Sequence, residues 1–319
     1  MVTTSILALF ILGFVAAALL GVASKLLAVE EDPRVEAVVG VLPGANCGGC
    51  GYAGCENYAQ AVVNDPNVPA NLCVAGGEET GINVGNLTGK TVAAMEPQIS
   101  FRRCEKVEGK VAVRFQYQGM PSCAAAALLA AGQGTDQCRY SCLGHGDCIK
   151  VCPFDALYLR DGLIRVNPAR CTGCGQCTKA CPRNILEIVP RRARVMVCCS
   201  TKDKGKVVTE ICEAGCIQCL RCKRQCPAGA ISIVDGRVHV DQRLCLSYGE
   251  ECGQACVASC PRHILRSLCP ATPLNQAEAR AEQDAAVAAN PDLRETPQAA
   301  SLSAEVAAAR SSERDEPKQ

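Results

Sequence analysis

The stretch that decides the fold is CTGCGQCTKACP, residues 171–182, and its pattern returns in CIQCLRCKRQCP, residues 216–227. Both read C-x2-C-x2-C-x3-C-P, so each run holds four closely spaced cysteines and a proline directly after the last one. A tight loop of this spacing turns its thiolates inward onto the irons of one [4Fe–4S] cube, while the fourth cysteine reaches across to a neighbouring cube. Because the run occurs twice without deviation, the sequence predicts iron–sulfur clusters.

The composition also favours iron–sulfur clusters over other uses of cysteine, which supplies 26 of the 319 residues. Disulfide frameworks are typical of short secreted domains, and zinc sites favour CxxC-like pairs that often include histidine. The chain has only 3 histidines, His145, His239 and His263, which show no metal spacing and are interpreted as surface or hairpin residues. Its formal charge of +1 excludes a polybasic body, so we expect no nucleic acid partner.

An internal repeat surrounds the two runs. Cys152 precedes Cys171 by 19 positions, and Cys226 precedes Cys245 by the same 19 positions. Each interval contains an Asp-Gly pair between alternating apolar residues, which is a strong signal for a two-residue β-hairpin. One supersecondary unit therefore occurs twice, and the sequence predicts two tandem modules of the bacterial 2×[4Fe–4S] ferredoxin type.

The fourth cysteine of each run binds the other cube of its module, so each module needs a second set of cysteines for that cube. The two modules are therefore predicted to hold four cubes. The predicted sets are Cys171, Cys174, Cys177 with Cys152; Cys138, Cys142, Cys148 with Cys181; Cys216, Cys219, Cys222 with Cys260; and Cys245, Cys252, Cys256 with Cys226. The sets that begin at Cys138 and Cys245 have stretched spacing. Their loops therefore leave room for a different ligand or a different cluster type.

A further cysteine group lies near the N-terminus in GANCGGCGYAGC, residues 44–55. Cys47, Cys50, Cys55 and the later Cys73 supply four thiolates, which suffice for a fifth cube. The intervening glycines let the backbone approach a cluster closely, where N–H groups can point at sulfur. The formal G-x-G-x-x-G within this stretch is a weak nucleotide signal, because a preceding proline and an interposed cysteine do not suit a phosphate loop.

Six cysteines remain outside these sets: Cys104, Cys123, Cys198, Cys199, Cys212 and Cys269. Scattered free cysteines commonly pack as small buried hydrophobes. Alternatively, Cys104, Cys123, Cys199 (or its neighbour Cys198) and Cys212 would form an additional ligand set if the region between the cluster domains folds back. The sequence therefore predicts five [4Fe–4S] clusters and leaves a sixth open.

Residues 5–24, SILALFILGFVAAALLGVAS, carry no charge and match the roughly 20 apolar residues that cross a bilayer. The preceding residues lack the basic stretch of a signal peptide, so we interpret the segment as an uncleaved, single-pass anchor in membrane lipid; a buried helix or a processed signal is the alternative. Lys25 and Arg34 follow it and nothing basic precedes it. The positive-inside tendency then predicts cytoplasmic cluster domains.

The predicted fold class is α+β, organised around the clusters. In chain order we expect a transmembrane anchor (1–28), a small 4Fe–4S domain (29–90), a bridging region (91–137), ferredoxin-like module 1 (138–190), a linker (191–211), ferredoxin-like module 2 (212–268) and a disordered tail (269–319). The bridging region contains a predicted strand at 110–117 and a predicted helix at 123–131. The basic stretches 102–110 and 190–194 are interpreted as solvated faces that can help to dock an acidic electron carrier.

An N-terminal anchor, a CGGCGYAGC domain and ferredoxin modules in this order resemble the B-subunit family of Rnf electron transport complexes over about residues 1–265. CLGHGDCIKVCPFDAL and GCIQCLRCKRQCPAGAI are similar to stretches of the longer members. The resemblance implies a bacterial inner-membrane complex that couples electron flow between ferredoxin and NAD to Na⁺ or H⁺ transport. This subunit would accept electrons from soluble ferredoxin, and the other membrane and soluble subunits would carry the ion pump, NAD chemistry and flavins.

A redox enzyme is the alternative class, because the CGGCGYAGC domain also resembles the cluster domains of corrinoid iron–sulfur proteins. A corrinoid or other substrate would need a domain of about 150 residues, and no cysteine-poor stretch is that long. No nucleophile–base pairing, P-loop or flavin signature stands out. We therefore expect an electron-transfer subunit that has no catalytic substrate site of its own.

Overall fold

The computed structural model describes residues 2–26, 32–106, 110–267, 281, 284, 285 and 288. The chain begins with helix α1, Val2–Leu26, which has 25 residues. Among the described residues, no helix meets the length and apolarity that crossing a membrane requires. The anchor therefore stays a prediction, and the predicted disordered tail lies almost wholly outside the described residues.

Three helices build the domain that carries the CGGCGYAGC stretch: α2 (Pro33–Val41), α3 (Cys55–Asn64) and α4 (Gly77–Thr88). The carboxylate of Asp32 caps α2 by accepting a hydrogen bond from a backbone N–H at 2.9 Å, directly before the proline that opens the helix. The helices meet in a core that includes Val38, Tyr58, Val84 and Cys73. Packing of this core therefore holds the last cysteine of the predicted N-terminal set.

Two antiparallel strand pairs organise the first module. The inner pair is the hairpin of β2 (Leu157–Arg160) and β3 (Leu163–Val166). The outer pair joins β1 (Gln98–Arg102) to β4 (Leu186–Pro190). Two short helices, α6 (Asp147–Lys150) and α7 (Gln176–Ala180), lie in the cysteine loops. Because β1 comes from the predicted bridging region, the module draws on chain far from its cysteine runs.

The second module repeats this plan. Its outer pair joins β5 (Val195–Val197) to β8 (Leu265–Ser267), and its inner hairpin consists of β6 (Ile231–Val234) and β7 (Arg237–Val240). Its helices are α9 (Arg221–Arg224), α10 (Gln242–Tyr248) and α11 (Ala255–Ala258), with a 3₁₀ turn at Glu250–Cys252. As in the first module, one outer strand comes from outside the predicted boundary, because β5 lies in the predicted linker.

Both hairpins turn at the Asp-Gly pairs, as the sequence predicts. Asp161 and Gly162 have φ values of 52° and 67°, and Asp235 and Gly236 have 49° and 74°. Positive φ at both central residues is the requirement of a type I′ turn, whose twist matches that of the flanking strands. The predicted repeat of the supersecondary unit is therefore confirmed at the level of backbone conformation.

The bridging region differs in part from its prediction. Helix α5 (Cys123–Gly132) forms where expected, although Leu129, Ala130 and Ala131 leave helical φ/ψ. The predicted strand at 110–117 is wrong: this segment makes only isolated β-bridges, from Val111 to Cys212 and from Val113 to Asp136. Two different partners hold neighbouring parts of the segment, so no continuous ladder develops. Beyond it, helix α8 (Gly205–Ile211) occupies the predicted linker.

Candidate metal centres

All 25 cysteines within the described residues are free thiols. No three His, Cys, Asp or Glu side chains among these residues close around a single metal ion. In a [4Fe–4S] cube each of four thiolates binds its own iron, so ligands surround the cluster instead of converging on one point. A cluster site is therefore expected as four thiols that line one shared recess.

The second module contains two such spaces. A recess of about 320 Å³ is lined by Cys216, Cys219, Cys222 and Cys260. A second recess, of about 410 Å³, is lined by Cys226, Cys245, Cys252 and Cys256. The structure thus brings together both four-cysteine sets that the crossing pattern predicts for this module, including the stretched one.

Backbone conformation shapes the cysteine loops. In the run that starts at Cys171, Gly173 and Gly175 have φ values of 74° and 80°. At the corresponding positions after Cys216, the non-glycine residues Gln218 and Leu220 have φ values of 51° and 56°. Left-handed backbone two and four positions after the first cysteine therefore turns both loops inward, and it is the local cause of the thiol grouping.

Cys171, Cys174, Cys177 and Cys152 lie close together in the first module. Burial raises the pKa of Cys177. A hydrogen bond to Ser100 lowers this pKa, and the neighbouring Cys171 and Cys152 raise it. Ser100 belongs to β1 and is buried; its backbone N–H donates to the Cys171 Sγ at 3.2 Å, and its Oγ accepts from Cys177 at 3.3 Å. Such contacts orient ligand sulfurs, and sequence reasoning missed Ser100 because its strand is distant in the chain.

The other set of the first module differs from its prediction. Burial raises the pKa of the Cys148 thiol, and the next largest causes are the neighbouring Cys142, Cys123 and Cys181. Cys138 is not in this group; burial raises its pKa to about 12, and the thiols that raise it further are Cys199 and Cys212. The structure therefore brings Cys142, Cys148 and Cys181 together with Cys123, where the sequence predicted Cys138.

Hydrogen bonds explain this exchange. The Gln137 N–H donates to the carbonyl oxygen of Ala112 at 2.8 Å, which ties Cys138 to the bridging region. Cys123 opens α5, and the carboxylate of Asp147 accepts hydrogen bonds from the Ala124 N–H and the Ser122 hydroxyl, both at 3.0 Å. Asp147 opens α6, which carries Cys148. The start of α5 is thus fixed beside the first module's loop.

The N-terminal set also groups. Burial raises the pKa of Cys73, and Cys55, Cys47 and Cys50 are the neighbouring thiols that add to it. The side-chain oxygen of Asn46 accepts a hydrogen bond from the Cys55 N–H at 2.8 Å, which closes the glycine-rich loop. All four predicted cysteines of this set therefore share one environment.

This N-terminal loop touches the first module. The Cys47 and Cys174 side chains share a hydrogen bond, which lowers the pKa of Cys174 and raises that of Cys47. The Gln176 side-chain amide donates to the Cys47 carbonyl oxygen. A Cβ added at Gly49 would lie 3.1 Å from the carbonyl oxygen of Cys174. Two cysteine loops from different domains are therefore in direct contact.

The thiol chemistry fits [4Fe–4S] clusters. Burial raises the pKa of Cys216 to about 12 and that of Cys256 to about 11, so these groups are neutral thiols at neutral pH unless a metal replaces the proton. Backbone N–H groups point at sulfur, as from Ala156 to Cys152 at 3.4 Å. Groups of four thiols, most of them buried or half-buried and with amide donors nearby, are the environment that Fe–S clusters use.

The predicted basic faces are only partly present. Arg102 and Arg103 are buried, and they pair with Glu105 and Glu187 at 3.0 and 2.9 Å. The interpretation of this part of 102–110 as a solvated docking face is therefore wrong. A different basic group is exposed: Arg221, Lys223 and Arg224 of α9, within a few residues of Cys219.

Comparisons with known proteins find iron–sulfur families in the N-terminal domain and the first module. Residues 42–74 match a family described as "Putative Fe-S cluster", and residues 142–156 and 164–187 match families described as "4Fe-4S binding domain". The chain is 43% identical over 267 residues to the B subunit of the proton-translocating ferredoxin:NAD(+) oxidoreductase complex of Clostridium ljungdahlii, a match that covers 83% of this chain and 92% of that protein.

Two further relatives have similar descriptions. The B subunit of the ion-translocating oxidoreductase complex of Methanosarcina acetivorans is 40% identical over 255 residues, which cover 80% of this chain and 94% of that protein. The B subunit of the Na(+)-translocating ferredoxin:NAD(+) oxidoreductase complex of Acetobacterium woodii is 36% identical over 194 residues, 60% of this chain and 57% of that protein.

Proposed function

The chain belongs to the B-subunit family of ion-translocating ferredoxin:NAD(+) oxidoreductase complexes, and from this premise we propose how it carries electrons. It is an electron-relaying iron–sulfur subunit of a membrane-associated complex, and the other subunits of that complex are its partners. Electrons enter from a reduced soluble ferredoxin and pass one at a time through [4Fe–4S] clusters. The transport of Na⁺ or H⁺ and the NAD chemistry belong to the partner subunits.

The observation that carries this proposal is the grouping of thiols into sets of four. The proposed ligand sets are Cys47, Cys50, Cys55 and Cys73; Cys152, Cys171, Cys174 and Cys177; Cys216, Cys219, Cys222 and Cys260; Cys226, Cys245, Cys252 and Cys256; and a set that includes Cys142, Cys148 and Cys181. Bound clusters supply one-electron redox chemistry. The chain contributes burial, which excludes water, and amide N–H groups that orient sulfur.

Contact between the loops supports a relay over a storage role. The Cys47 and Cys174 side chains meet across the boundary between the N-terminal domain and the first module. A protein that merely stored iron would have no need to bring ligand cysteines of separate domains into hydrogen-bond contact. The same contact disfavours the alternative of a corrinoid-binding enzyme, because the first module already occupies the space beside Gly48 and Gly49 of the CGGC loop.

The relay is tested by iron and acid-labile sulfide analysis on the anaerobically purified full chain, with EPR spectra before and after addition of reduced ferredoxin. Five complete clusters correspond to about 20 irons per chain, and paramagnetic signals appear on reduction. A chain with few irons, or with clusters that reduced ferredoxin leaves unchanged, contradicts the proposal and favours a scaffold or another donor.

The donor docks at α9. Cys219 is the one exposed cysteine within the described residues, and Arg221, Lys223 and Arg224 stand exposed beside it. A cluster at this edge has the shortest access to an external carrier. The cationic side chains steer a carrier of negative surface charge toward it, an effect that salt screens.

This surface is tested with the triple variant Arg221→Gln, Lys223→Gln and Arg224→Gln. Its clusters are expected to be reduced by soluble ferredoxin more slowly than those of the wild type, with a weaker dependence of the rate on ionic strength. The matched control neutralises three exposed cations on other elements, Lys110, Lys206 and Arg243. Equal slowing in both variants would show that only net charge matters.

Helix α1 is the proposed membrane anchor, with the cluster domains on the cytoplasmic side. Its 25 residues give a length of roughly 37 Å at 1.5 Å per residue, enough for the hydrocarbon core. Phe10 and Phe14 are 75% and 77% exposed, and exposed apolar side chains of this size need a lipid or protein covering.

The anchor is tested by carbonate extraction of membranes that contain the full chain or a chain without residues 1–28. The full chain is expected to resist extraction, and the shortened chain is expected to be released when partner subunits are absent. Protease added to inverted inner-membrane vesicles should digest the cluster domains. Release of the full chain by carbonate, or protection from protease in inverted vesicles, contradicts the anchor or its orientation respectively.

A further inference from the structure

A third recess of the same kind lies between the two modules. It has an empty volume of about 390 Å³, part of it open to solvent, and the cysteines in its wall are Cys104, Cys138, Cys198, Cys199 and Cys212; we call it the central recess. Its volume falls between those of the two recesses in the second module, at about 320 and 410 Å³, each of which is lined by four predicted iron ligands. The central recess is therefore similar to them in size, and its wall carries five cysteines where each of theirs carries four.

Four separate segments converge to build the central recess. Cys104 and Cys199 face each other in a β-bridge, and a second bridge pairs Val111 with Cys212. The Cys138 segment is held against the same stretch, because the Arg114 N–H donates to the carbonyl oxygen of Thr135 at 2.8 Å. Backbone pairing thus gathers cysteines that are up to 108 positions apart, from 104 to 212.

The surroundings suit an anionic group. Arg262 donates hydrogen bonds to the carbonyl oxygens of Cys212 at 2.5 Å and Gly215 at 3.2 Å. Arg103 is buried beside the recess, and its Nε has no hydrogen-bond partner among the described residues. Although burial raises the pKa of Cys199, the charges of these two arginines oppose that effect. Cations close to buried thiols offset the negative charge of a thiolate-bound cluster.

The first module explains why Cys138 is free for this site. Left-handed glycines follow Cys142 at the second and fourth positions, Gly144 and Gly146, as Gly173 and Gly175 follow Cys171. The loop therefore has the conformation of a C-x2-C-x2-C-x3-C run, with His145 where its second cysteine would stand. Cys123 occupies the missing position in space, since the backbone N–H groups of Asp147 and His145 point at its sulfur.

We propose that Cys104, Cys138, Cys199 and Cys212 bind a sixth [4Fe–4S] cluster in the central recess, and that Cys123 completes the set of Cys142, Cys148 and Cys181. This inference rests on the proposed function, because it assumes that the other thiol sets hold clusters. It assigns 24 of the 26 cysteines to six sets and leaves Cys198 and Cys269 outside them.

The position of the site gives it a role. The Cys142 N–H donates to the Cys104 Sγ at 3.5 Å, and the Cys216 N–H donates to the Cys199 Sγ at 3.4 Å. Cys142 and Cys216 are proposed ligands in the first and second module. Cys104 and Cys199 would therefore hold a cluster in contact with ligand loops of both modules, and such a cluster would supply one-electron transfer between them, with no bond made or broken.

Cys198 is the natural internal control. It continues the pairing of β5 with β8, because its N–H donates to the carbonyl oxygen of Ile264 at 2.7 Å. Successive side chains of an extended segment point to opposite sides, so we expect the Cys198 thiol to point away from that of Cys199 although both residues line the recess. The groups that shift its pKa besides burial are Glu105, Arg102 and Arg266, followed by Cys199. It is as buried as a proposed ligand and also contributes to the wall of the central recess, so its alanine variant shows whether a cluster there needs the Cys198 thiol.

The test counts iron, zinc and acid-labile sulfide per full-length chain, prepared anaerobically, in the wild type and in single alanine variants. Six clusters give about 24 irons, and Cys199→Ala and Cys138→Ala are each expected to lower this to about 20. Cys198→Ala is expected to keep the wild-type count. About 20 irons in all four chains would overturn the sixth cluster while leaving the proposed relay intact, and one zinc in place of four irons would overturn its identity.

A second measurement separates the ligand exchange from misfolding. Cys123→Ala is expected to alter the same EPR signals as Cys148→Ala, whereas Cys138→Ala should leave those signals unchanged. In Cys199→Ala, ferredoxin should still reduce the clusters of the second module while those of the first stay oxidised. If Cys138→Ala and Cys148→Ala share one altered signal, Cys138 is the ligand of the first module and the exchange is refuted.

Discussion

Replacing Arg102 by methionine should loosen the first module and the central recess together. The Arg102 side chain is 10% exposed. Its guanidinium donates to the carbonyl oxygens of Cys104 and Ile164, both at 2.5 Å, and to Glu105 at 3.0 Å. It therefore ties the chain after β1 to strand β3. Methionine fills similar volume but offers no donor, so two buried carbonyl groups lose their partner.

The magnitude follows from these bonds. Hydrogen bonds to charged groups contribute about 1.5–3 kcal/mol each, so the two carbonyl contacts together represent about 3–6 kcal/mol. A whole domain is stable by only about 5–15 kcal/mol. If these contacts form late in folding, most of the loss appears as faster unfolding, and even about 3 kcal/mol corresponds to a rate increase of about 100-fold.

The assay is the rate at which the visible absorbance of the clusters disappears in a fixed concentration of urea under anaerobic conditions, since cluster release makes unfolding irreversible. Arg192→Gln is the control, because Arg192 also pairs with a glutamate, Glu96, but is 69% exposed, where ion pairs contribute little. If Arg102→Met and Arg192→Gln lost their clusters at indistinguishable rates, the argument from the buried guanidinium would be refuted.

Three further changes have defined outcomes. Gly173→Ala should lose about four irons per chain, because a Cβ at φ +74° would lie 2.8 Å from the carbonyl oxygen of Gln98. The control Gly162→Ala also has positive φ, +67°, but its Cβ would meet no atom within 4 Å, so this variant should keep its iron. Equal iron loss in the two variants would contradict this reasoning. Gly49→Ala, whose Cβ would press on Cys174, should keep its iron but slow electron passage from the first module to the N-terminal cluster in freeze-quench EPR; an unchanged rate contradicts the loop contact. Removal of iron by a chelator should unfold both modules in far-ultraviolet circular dichroism, since metal binding and folding are coupled; a retained spectrum would show a self-sufficient core.

Local features of the chain were predictable from sequence. The spacing of C-x2-C-x2-C-x3-C-P determines how a short loop turns, and Asp161-Gly162 and Asp235-Gly236 determine the hairpins, because each signal and its consequence lie within a few residues. The outer strand pairs were not predictable in this way. The partner of β1 is β4, which follows some 85 residues later, and short strands of ordinary composition do not encode such a choice.

The exchange of Cys123 and Cys138 shows the same limit. Both are single cysteines outside the regular runs, and their positions depend on how the bridging region folds back. One local signal was present in the sequence, because His145 stands where the run from Cys142 would place its second cysteine. Arg102 and Arg103 were interpreted as solvated for a similar reason: the carbonyl and carboxylate groups that bury them come from β3, β4 and β7.

The outer strand pairs also impose an order on biosynthesis. Chains emerge from the ribosome N-terminus first, and domains fold as units as they appear. The first module can close once β4 has been made, whereas β5 must wait for β8, near residue 267, before the second module is complete. Cys199 of the central recess follows β5 closely, so its position is fixed only after β8 has paired with that strand. A nascent chain that stalls before β8 would therefore have a folded first module but no complete path for electrons between the two modules.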